Sequence, residues 1–376
     1  MAMCPNELFE VFSYLPTKAI YRFKCINNSV SKLLEETYFA TKQVENSIKE
    51  DDTCFFLQQV TSEMYSGKVK LFTLPGNQSS FGLSGDVLRF LSKGIKVLSS
   101  TNGLILCRST NKIPNEFFIC NPATKSWLPI PSPEQVQERP NANLIMVLLK
   151  CSNRCDDYSV VHFEPPRDWS SYYACKIFKP KEGLWKTMKI SFFTGGRNMN
   201  FNTFAHCNGV IHFISDCSPY LTKRSSSFRP YIMSYHLENG TSTMLRVPRD
   251  ARRGSHDSNC DMSIFNWGKV STPHSSICLV RLRKSVFTIW ILTDYESDRW
   301  KRILKVRTKG MGLKEKDPKI TGYTVMNGDA LVFATETRIY SYGLTYEKYM
   351  TVEEICENRW ESNGQISVQV WDLGPP

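Results

Sequence analysis

The chain has 376 residues, 47 Lys and Arg against 36 Asp and Glu for a formal charge of +11, and 41% hydrophobic residues. That length exceeds a single core of ordinary size, so two regions or one radial array is the expectation. The 13 cysteines are odd in number and lack paired spacing, no apolar signal segment opens the chain, and the longest clean apolar run (144–149) is far too short to cross a bilayer; free thiols in a reducing compartment, cytoplasmic or nuclear, with no membrane span, follow as the expectation.

Leu8, Val11, Phe12 and Leu15 fall at i, i+3, i+4 and i+7, so the spacing predicts a short amphipathic helix with Asn6 as its cap and Pro16 as its stop. Thr17 is placed to cap a second helix carrying Ala19, Ile20 and Phe23, and Ser29 a third carrying Val30, Leu33, Leu34 and Tyr38. Three short helices cannot bury enough surface to stand alone, and they need a partner. A charged passage with Lys49, Glu50, Asp51 and Asp52 follows, which gives a helical region over 1–45, a linker over 46–52 and a second domain over 53–376.

From residue 53 the signals are those of strands. Residues 54–60 and 69–74 read as a hairpin, and the alternating apolar residues of 366–373 read as a closing strand that shares a sheet with 54–60. Between them one unit recurs. A strand ends at Cys120, Phe178, Leu237, Thr293 or Tyr342, a polar turn follows, and a large apolar anchor stands seven positions on: Trp127, Trp185, Met244, Trp300 and Tyr349. The anchors are 58, 59, 56 and 49 residues apart. Asn102-Gly103, Asn208-Gly209 and Asn327-Gly328 mark a second hairpin in three of the units. Several short strands per period suit the four-stranded blade of a propeller, whereas β-helix and leucine-rich periods are much shorter and solenoid helices would need 3.6-residue spacing. Five units plus one shared by the chain ends predict a mostly β fold: a three-helix module followed by a β-propeller-like domain of about six blades.

No catalytic constellation stands out. Cys151, Cys155 and His162 lack the disciplined spacing of a zinc site. His206, Cys207, His212 and Cys217 surround an Asn-Gly turn, where strand alternation explains them equally well. Gly310-Met311-Gly312 lacks the third glycine and the strand-helix context of a dinucleotide loop. No metal, cofactor or catalytic group is assigned, and the aromatic anchors are assigned to the core between blades. Charge is uneven: residues 1–52 carry −2, and residues 299–319 alone carry nine basic residues against Glu315 and Asp317. Gly310, Gly312 and Pro318 set the centre of that run in an exposed loop, and Lys314, Lys316 and Lys319 become the candidate contacts for an acidic or phosphorylated protein. Nucleic acid ranks lower because aromatic residues are not interleaved there.

The N-terminal sequence CPNELFEVFSYLPTKAIYRFKCINNSVSKLL resembles the F-box of plant F-box proteins at Pro5, Leu8, Leu15-Pro16, Lys18 and Arg22-Phe23-Lys24-Cys25, and departs from it at Cys4, Ala19, Asn28 and Val30. Asn-Gly-Leu-Ile-Leu-Cys from Asn102, Cys-Asn-Pro-Ala-Thr-Lys-Ser-Trp from Cys120 and Leu-Pro-Ile-Pro from Leu128 resemble the kelch- or propeller-like F-box-associated domain of the same family. The resemblance implies a non-catalytic substrate receptor of an SCF-type ubiquitin ligase. It implies that Pro5, Leu8, Leu15, Pro16, Ile20, Phe23 and Val30 dock a Skp-type adaptor, and through it a cullin and a RING subunit. Two other readings are a propeller binding module whose F-box no longer engages an adaptor, and a propeller hydrolase or sugar-binding domain.

Overall fold

The computed structural model describes residues 5–15, 32, 39, 42, 46, 54–60, 69–73, 95–101, 103–109, 116–121, 126–133, 144–150, 157–166, 168–218, 221–225, 227–255, 257, 259–268, 276–326, 328–344, 351–357 and 367–374. They fall into two compact units, one of residues 1–161, 178–185 and 361–376, the other of residues 162–177 and 186–360.

In the first unit, helix α1 spans Pro5–Ser13. Proline suits its first turn because the ring presets φ and the missing N–H has no helical acceptor there anyway. Asn6 therefore lies inside the helix rather than capping it. The helix tightens at its end, where Tyr14 N–H bonds Val11 and Leu15 N–H bonds Phe12. Lys32, Phe39, Lys42 and Asn46 are also helical. The second helix expected from Thr17, and Val30, Leu33, Leu34 and Tyr38 of the third, lie outside the described residues.

Strand β1 (Cys54–Val60) pairs antiparallel with β2 (Val69–Thr73) on one side and with β24 (Ser367–Gly374) on the other, in the register Phe56 opposite Leu71 and Trp371. The expected pairing of the first strand with the last is thus present. A four-stranded meander follows: β3 (Ile95–Thr101), β4 (Leu104–Ser109), β5 (Phe117–Asn121) and β6 (Ser126–Ile130). A further sheet, whose residues are divided between the two units, has the order β10 (Trp185–Thr187), β9 (Tyr172–Phe178), β8 (Tyr158–Glu164), β7 (Ile145–Lys150), with β11 (Phe192–Phe193) pairing β9.

The second unit holds three further meanders. The first runs β12 (Met199–Cys207), β13 (Val210–Ser215), β14 (Tyr231–His236), β15 (Ser242–Arg246); the second β16 (Cys260–Trp267), β17 (Ser276–Arg283), β18 (Val286–Asp294), β19 (Arg299–Arg307). The third runs β20 (Ile320–Met326), β21 (Ala330–Thr335), β22 (Arg338–Gly343), β23 (Val352–Glu357). The chain is mostly β, and its repeated antiparallel meander is the blade unit of a β-propeller. Five sheets have at least four strands; where a sixth unit shared by the chain ends was expected, the described residues form the three-stranded sheet of β1, β2 and β24.

The repeat found in the sequence is the hairpin between the last two strands of each meander. Asn208 and Gly209, at φ 51° and 73°, turn β12 into β13 as a two-residue hairpin loop with both residues left-handed. Middle strands lie between neighbouring sheets, so both faces are covered: all six residues of β21 are buried. One cluster joins Ile214, Ile232 and Leu245 to Ile264, Leu279 and Trp290, and another joins Val280, Phe287 and Ile289 to Leu331, Phe333 and Tyr340. Each side chain of this size buried in such a cluster contributes about 1.5–3 kcal/mol.

The anchors do not sit in the fully buried core. Trp127 is 66% exposed and Met244 52%, Trp185 and Trp300 are half-buried against the adjoining clusters, and Tyr349 lies outside the described residues. An edge strand has a neighbour on one side only, so its anchor reaches across rather than inward. Trp185 Nε1 donates to the carbonyl of Pro131 at 2.8 Å, and Trp300 Nε1 to that of Arg246 at 2.9 Å.

Candidate functional site

Two surfaces are the candidates, one in each unit. In the first, Phe12 of α1 is buried with Phe39, and Leu8, Phe9 and Leu15 pack half-buried against them. The Phe9 ring meets Phe39 edge-on at 5.3 Å. The Ser13 hydroxyl donates to the Glu10 carbonyl and accepts from Asn46 Nδ2, both at 2.7 Å, which ties the helix to a residue 33 positions on. Val11, expected on the apolar face, is instead 52% exposed, as is Tyr14 three residues on. The helix therefore turns one face to its own small core and offers a second, partly apolar face outward. Pro5 opens the helix; Pro16, Ile20, Phe23 and Val30 lie outside the described residues.

In the second unit, the basic run at 299–319 is not a loop throughout. Its first nine residues form β19, and only then do a 3-10 turn (Thr308–Gly310) and an irregular segment follow. Lys314 lies 2.7 Å from Glu354 and Lys319 3.3 Å from Glu336, while Lys309 pairs with Asp317 at 3.3 Å. Glu354 also takes Arg338, and these two cations, Lys314 foremost, hold its carboxyl below the ordinary range. Glu315 accepts from Thr335, Thr337 and Tyr340 hydroxyls; burial pushes its carboxyl up, but these bonds outweigh it and hold it down. The candidate lysines thus sit on a segment pinned at Glu315, and two of the three face carboxylates. Lys316 is exposed.

The cluster around the Asn208-Gly209 turn has the outline of a nucleophile dyad. Cys207 Sγ is 3.6 Å from His212 Nε2, and His212 Nδ1 is 2.8 Å from Ser234 Oγ. Its electrostatics point the other way. Burial pushes the Cys207 thiol up to about 11 and lowers His212 to about 3, the latter aided by His206 and His236. A thiolate is the reactive form, and a dry, neutral thiol beside a neutral imidazole is not poised to supply it. Among the described residues no group of three or more His, Cys, Asp or Glu is arranged to hold a metal ion. Cys151 and Cys155 lie outside the described residues, and His162 is buried in β8.

One polar centre escaped the sequence reading. The Arg197 side chain, 2% exposed, meets Asp216 Oδ1 at 3.1 Å and donates to the carbonyls of Asp216, Ser218, Ser227 and Phe228. Tyr231 donates to the Thr194 carbonyl at 3.0 Å and accepts from Arg197 N–H at 3.0 Å. A guanidinium spent on carbonyls organises loops rather than ligands. The Gly195-Gly196 pair before Arg197 was the available signal, because it announces a close backbone approach.

Residues 48–352 match the F-box associated beta propeller domain. The chain belongs to that family. It is 23% identical to F-box protein At5g49610 of Arabidopsis thaliana over 310 residues, covering 80% of this chain and 77% of the relative. It is 22% identical to F-box protein At5g07610 of the same plant over 223 residues, covering 55% and 50%. Among solved structures, TolB from Acinetobacter baumannii superposes with a TM-score of 0.46 at 12% identity, covering 85% of this chain and 66% of that one. Nothing about activity follows from a likeness at that level. Membership of the F-box associated propeller family agrees with the meander sheets and with the α1 module that precedes them.

Proposed function

We propose that this protein is the substrate-recognition subunit of an SCF-type E3 ubiquitin ligase, working in the cytoplasm or nucleus and not itself an enzyme. The observation that supports the reading is the union, in one chain, of an N-terminal helix with its own aromatic core and a match to the F-box associated propeller domain over 48–352. In this reading Pro5, Leu8, Leu15, Pro16, Ile20, Phe23 and Val30 contribute to a Skp-type adaptor contact, and the adaptor brings a cullin and a RING subunit. The propeller domain binds the protein to be ubiquitylated. Its excess of basic residues favours a substrate whose surface is acidic or phosphorylated, with Lys314, Lys316 and Lys319, two of which already face carboxylates, contributing least.

A hydrolase reading needs a reactive group at a solvent-reached site, and the buried Cys207 and His212 do not offer one. The test is isolation of the tagged full-length chain from its own cells, with mass spectrometry of what accompanies it. A Skp-type adaptor and a cullin in near-equal amounts are the expected companions, lost in Leu15→Asp. Their absence from the unmutated preparation contradicts the proposal.

A further inference from the structure

Strand β19 is the edge strand of its sheet, and five of its nine residues are cationic and exposed: Arg299, Lys301, Arg302, Lys305 and Arg307. Charged residues on an edge commonly guard against unwanted strand pairing. The other edge strands manage with far less positive charge. The sequence of β6, SWLPI, has no charge, β10 and β15 have one cation each, and β23, VEEICE, has three glutamates. Either sign protects an edge, so protection alone does not account for the cations gathered on β19.

Register places three of them on one face. Arg307, Lys305 and Arg302 stand opposite Val286, Thr288 and Trp290 of β18, alternate positions of one strand and hence one face. Trp300, opposite Leu292, shares that face and bonds the Arg246 carbonyl at the end of β15. Just beyond β15 is the single-turn helix α2 (Arg249–Arg252), fixed by Arg281, which donates to the carbonyls of Asp250, Ala251 and Arg253. Arg302 reaches Asp250 of that turn at 3.6 Å. Arg229, Arg246 and Arg249 crowd Arg252 closely enough that, after burial, their charges are what lower its proton affinity, with Asp298 opposing. Asp250 and Asp298 are carboxylates that face these arginines.

We infer that this face of β19, together with the arginine corner beside it, docks an extended, carboxylate-rich segment of the protein substrate. The inference rests on the substrate-receptor reading above. From Arg302 to Arg307 the cations of this face span roughly 16 Å at about 3.3 Å per residue, so a single phosphate would engage one end and leave the rest idle, whereas spaced carboxylates follow the row. No strand among the described residues pairs with the outer edge of β19, which leaves backbone groups for strand addition. Stacking of nucleic-acid bases wants free aromatic faces, and the Trp300 indole on this face is half-buried and tied to Arg246.

The probe is a fluorescent decaglutamate peptide titrated against the full-length chain, beside a Ser/Gly peptide carrying one phosphoserine and a ten-nucleotide single strand. Decaglutamate is expected to bind best, and to weaken steeply between physiological salt and 1 M as the Debye length falls from about 8 to about 3 Å. The triple variant Arg249→Ser, Lys305→Ser, Arg307→Ser should lose at least about tenfold in affinity. Lys314→Ser, Lys316→Ser, Lys319→Ser should change it less than about twofold, because two of those lysines already face carboxylates. Asp250→Asn, which releases Arg302, should tighten binding, a gain that misfolding cannot imitate. No binding by decaglutamate, an unchanged affinity in the first triple variant, an equal loss in the second, or tighter binding of either comparison probe overturns the inference. Adaptor binding measured on the same preparations separates the two claims: a complex with adaptor but not with peptide removes the docking surface alone, and the reverse removes the ligase reading alone.

Discussion

The indole N–H of Trp300 on β19 donates to the carbonyl of Arg246 at the end of β15, 2.9 Å away and 54 residues earlier in the chain. Trp185 makes the same bond to Pro131 across the same sequence separation, so the repeat carries a cross-strap as well as a hairpin. Arg246 is fixed a second time by its own N–H, which donates to Asp298 Oδ1 at 3.2 Å.

Trp300→Phe keeps most of the apolar contact and deletes the strap, and is expected to cost about 0.5–1.5 kcal/mol, the net worth of one hydrogen bond. Urea denaturation of the full-length chain reads it. A variant as stable as the parent would show that the bond merely accompanies the packing.

Arg197→Met should cost about 3–5 kcal/mol, because it strands a partly buried Asp216 and four carbonyl acceptors. Gly195→Ala should also destabilise, since Gly195 has φ +79° and an added Cβ would stand 2.5 Å from Tyr231 Oη. Both effects appear in the unfolding midpoint. An Arg197 variant within about 0.5 kcal/mol of the parent would mean that the loops hold without it.

The positions of the hairpins were legible because their chemistry is local: Asn-Gly turns and polar clusters must lie where the chain reverses. The Lys284-Ser285 reversal between β17 and β18 was not, because both residues adopt φ near +50° to +58° without glycine or asparagine to announce it. The burial of the anchors misled for a different reason. Tryptophan at a fixed place suggests core, but on an edge strand the same residue spans to a neighbour, and in β6 Trp127 meets Phe118 edge-on at 5.6 Å while staying exposed. The charge of residues 299–319 could be counted, but its division into a cationic strand and a neutralised segment depends on Glu336 and Glu354, which no local pattern links to Lys319 and Lys314.

Acid should destabilise the second unit through buried imidazoles. Burial lowers His212 to about 3 and His162 to about 4 in the folded chain, against about 6.5 when unfolded. The unfolded state therefore binds more protons below pH 6.5; the stability is whole above that pH and is lost as pH falls toward 4 and then 3. Each histidine should contribute a loss on the order of 1–2 kcal/mol between pH 7 and pH 5. His212→Gln should flatten the dependence of the urea midpoint on pH in that window. An unchanged slope would contradict the burial argument.

Truncation after Gly364 removes β24 and leaves β1 unpaired on that side. An open strand edge invites aggregation, so the shortened chain should be insoluble or melt well below the parent. Identical melting would mean that the β1–β24 pairing adds little.

The central claim is that α1 belongs to a module that engages a Skp-type adaptor, and the affinity of the purified full-length chain for a recombinant adaptor tests it most directly. A one-to-one complex is expected, largely insensitive to salt because its contacts are mainly apolar, weakened at least about tenfold by Leu15→Asp and left intact by the Arg249→Ser, Lys305→Ser, Arg307→Ser variant. No measurable binding to any Skp-type adaptor by the unmutated chain, with its fold intact, would contradict it.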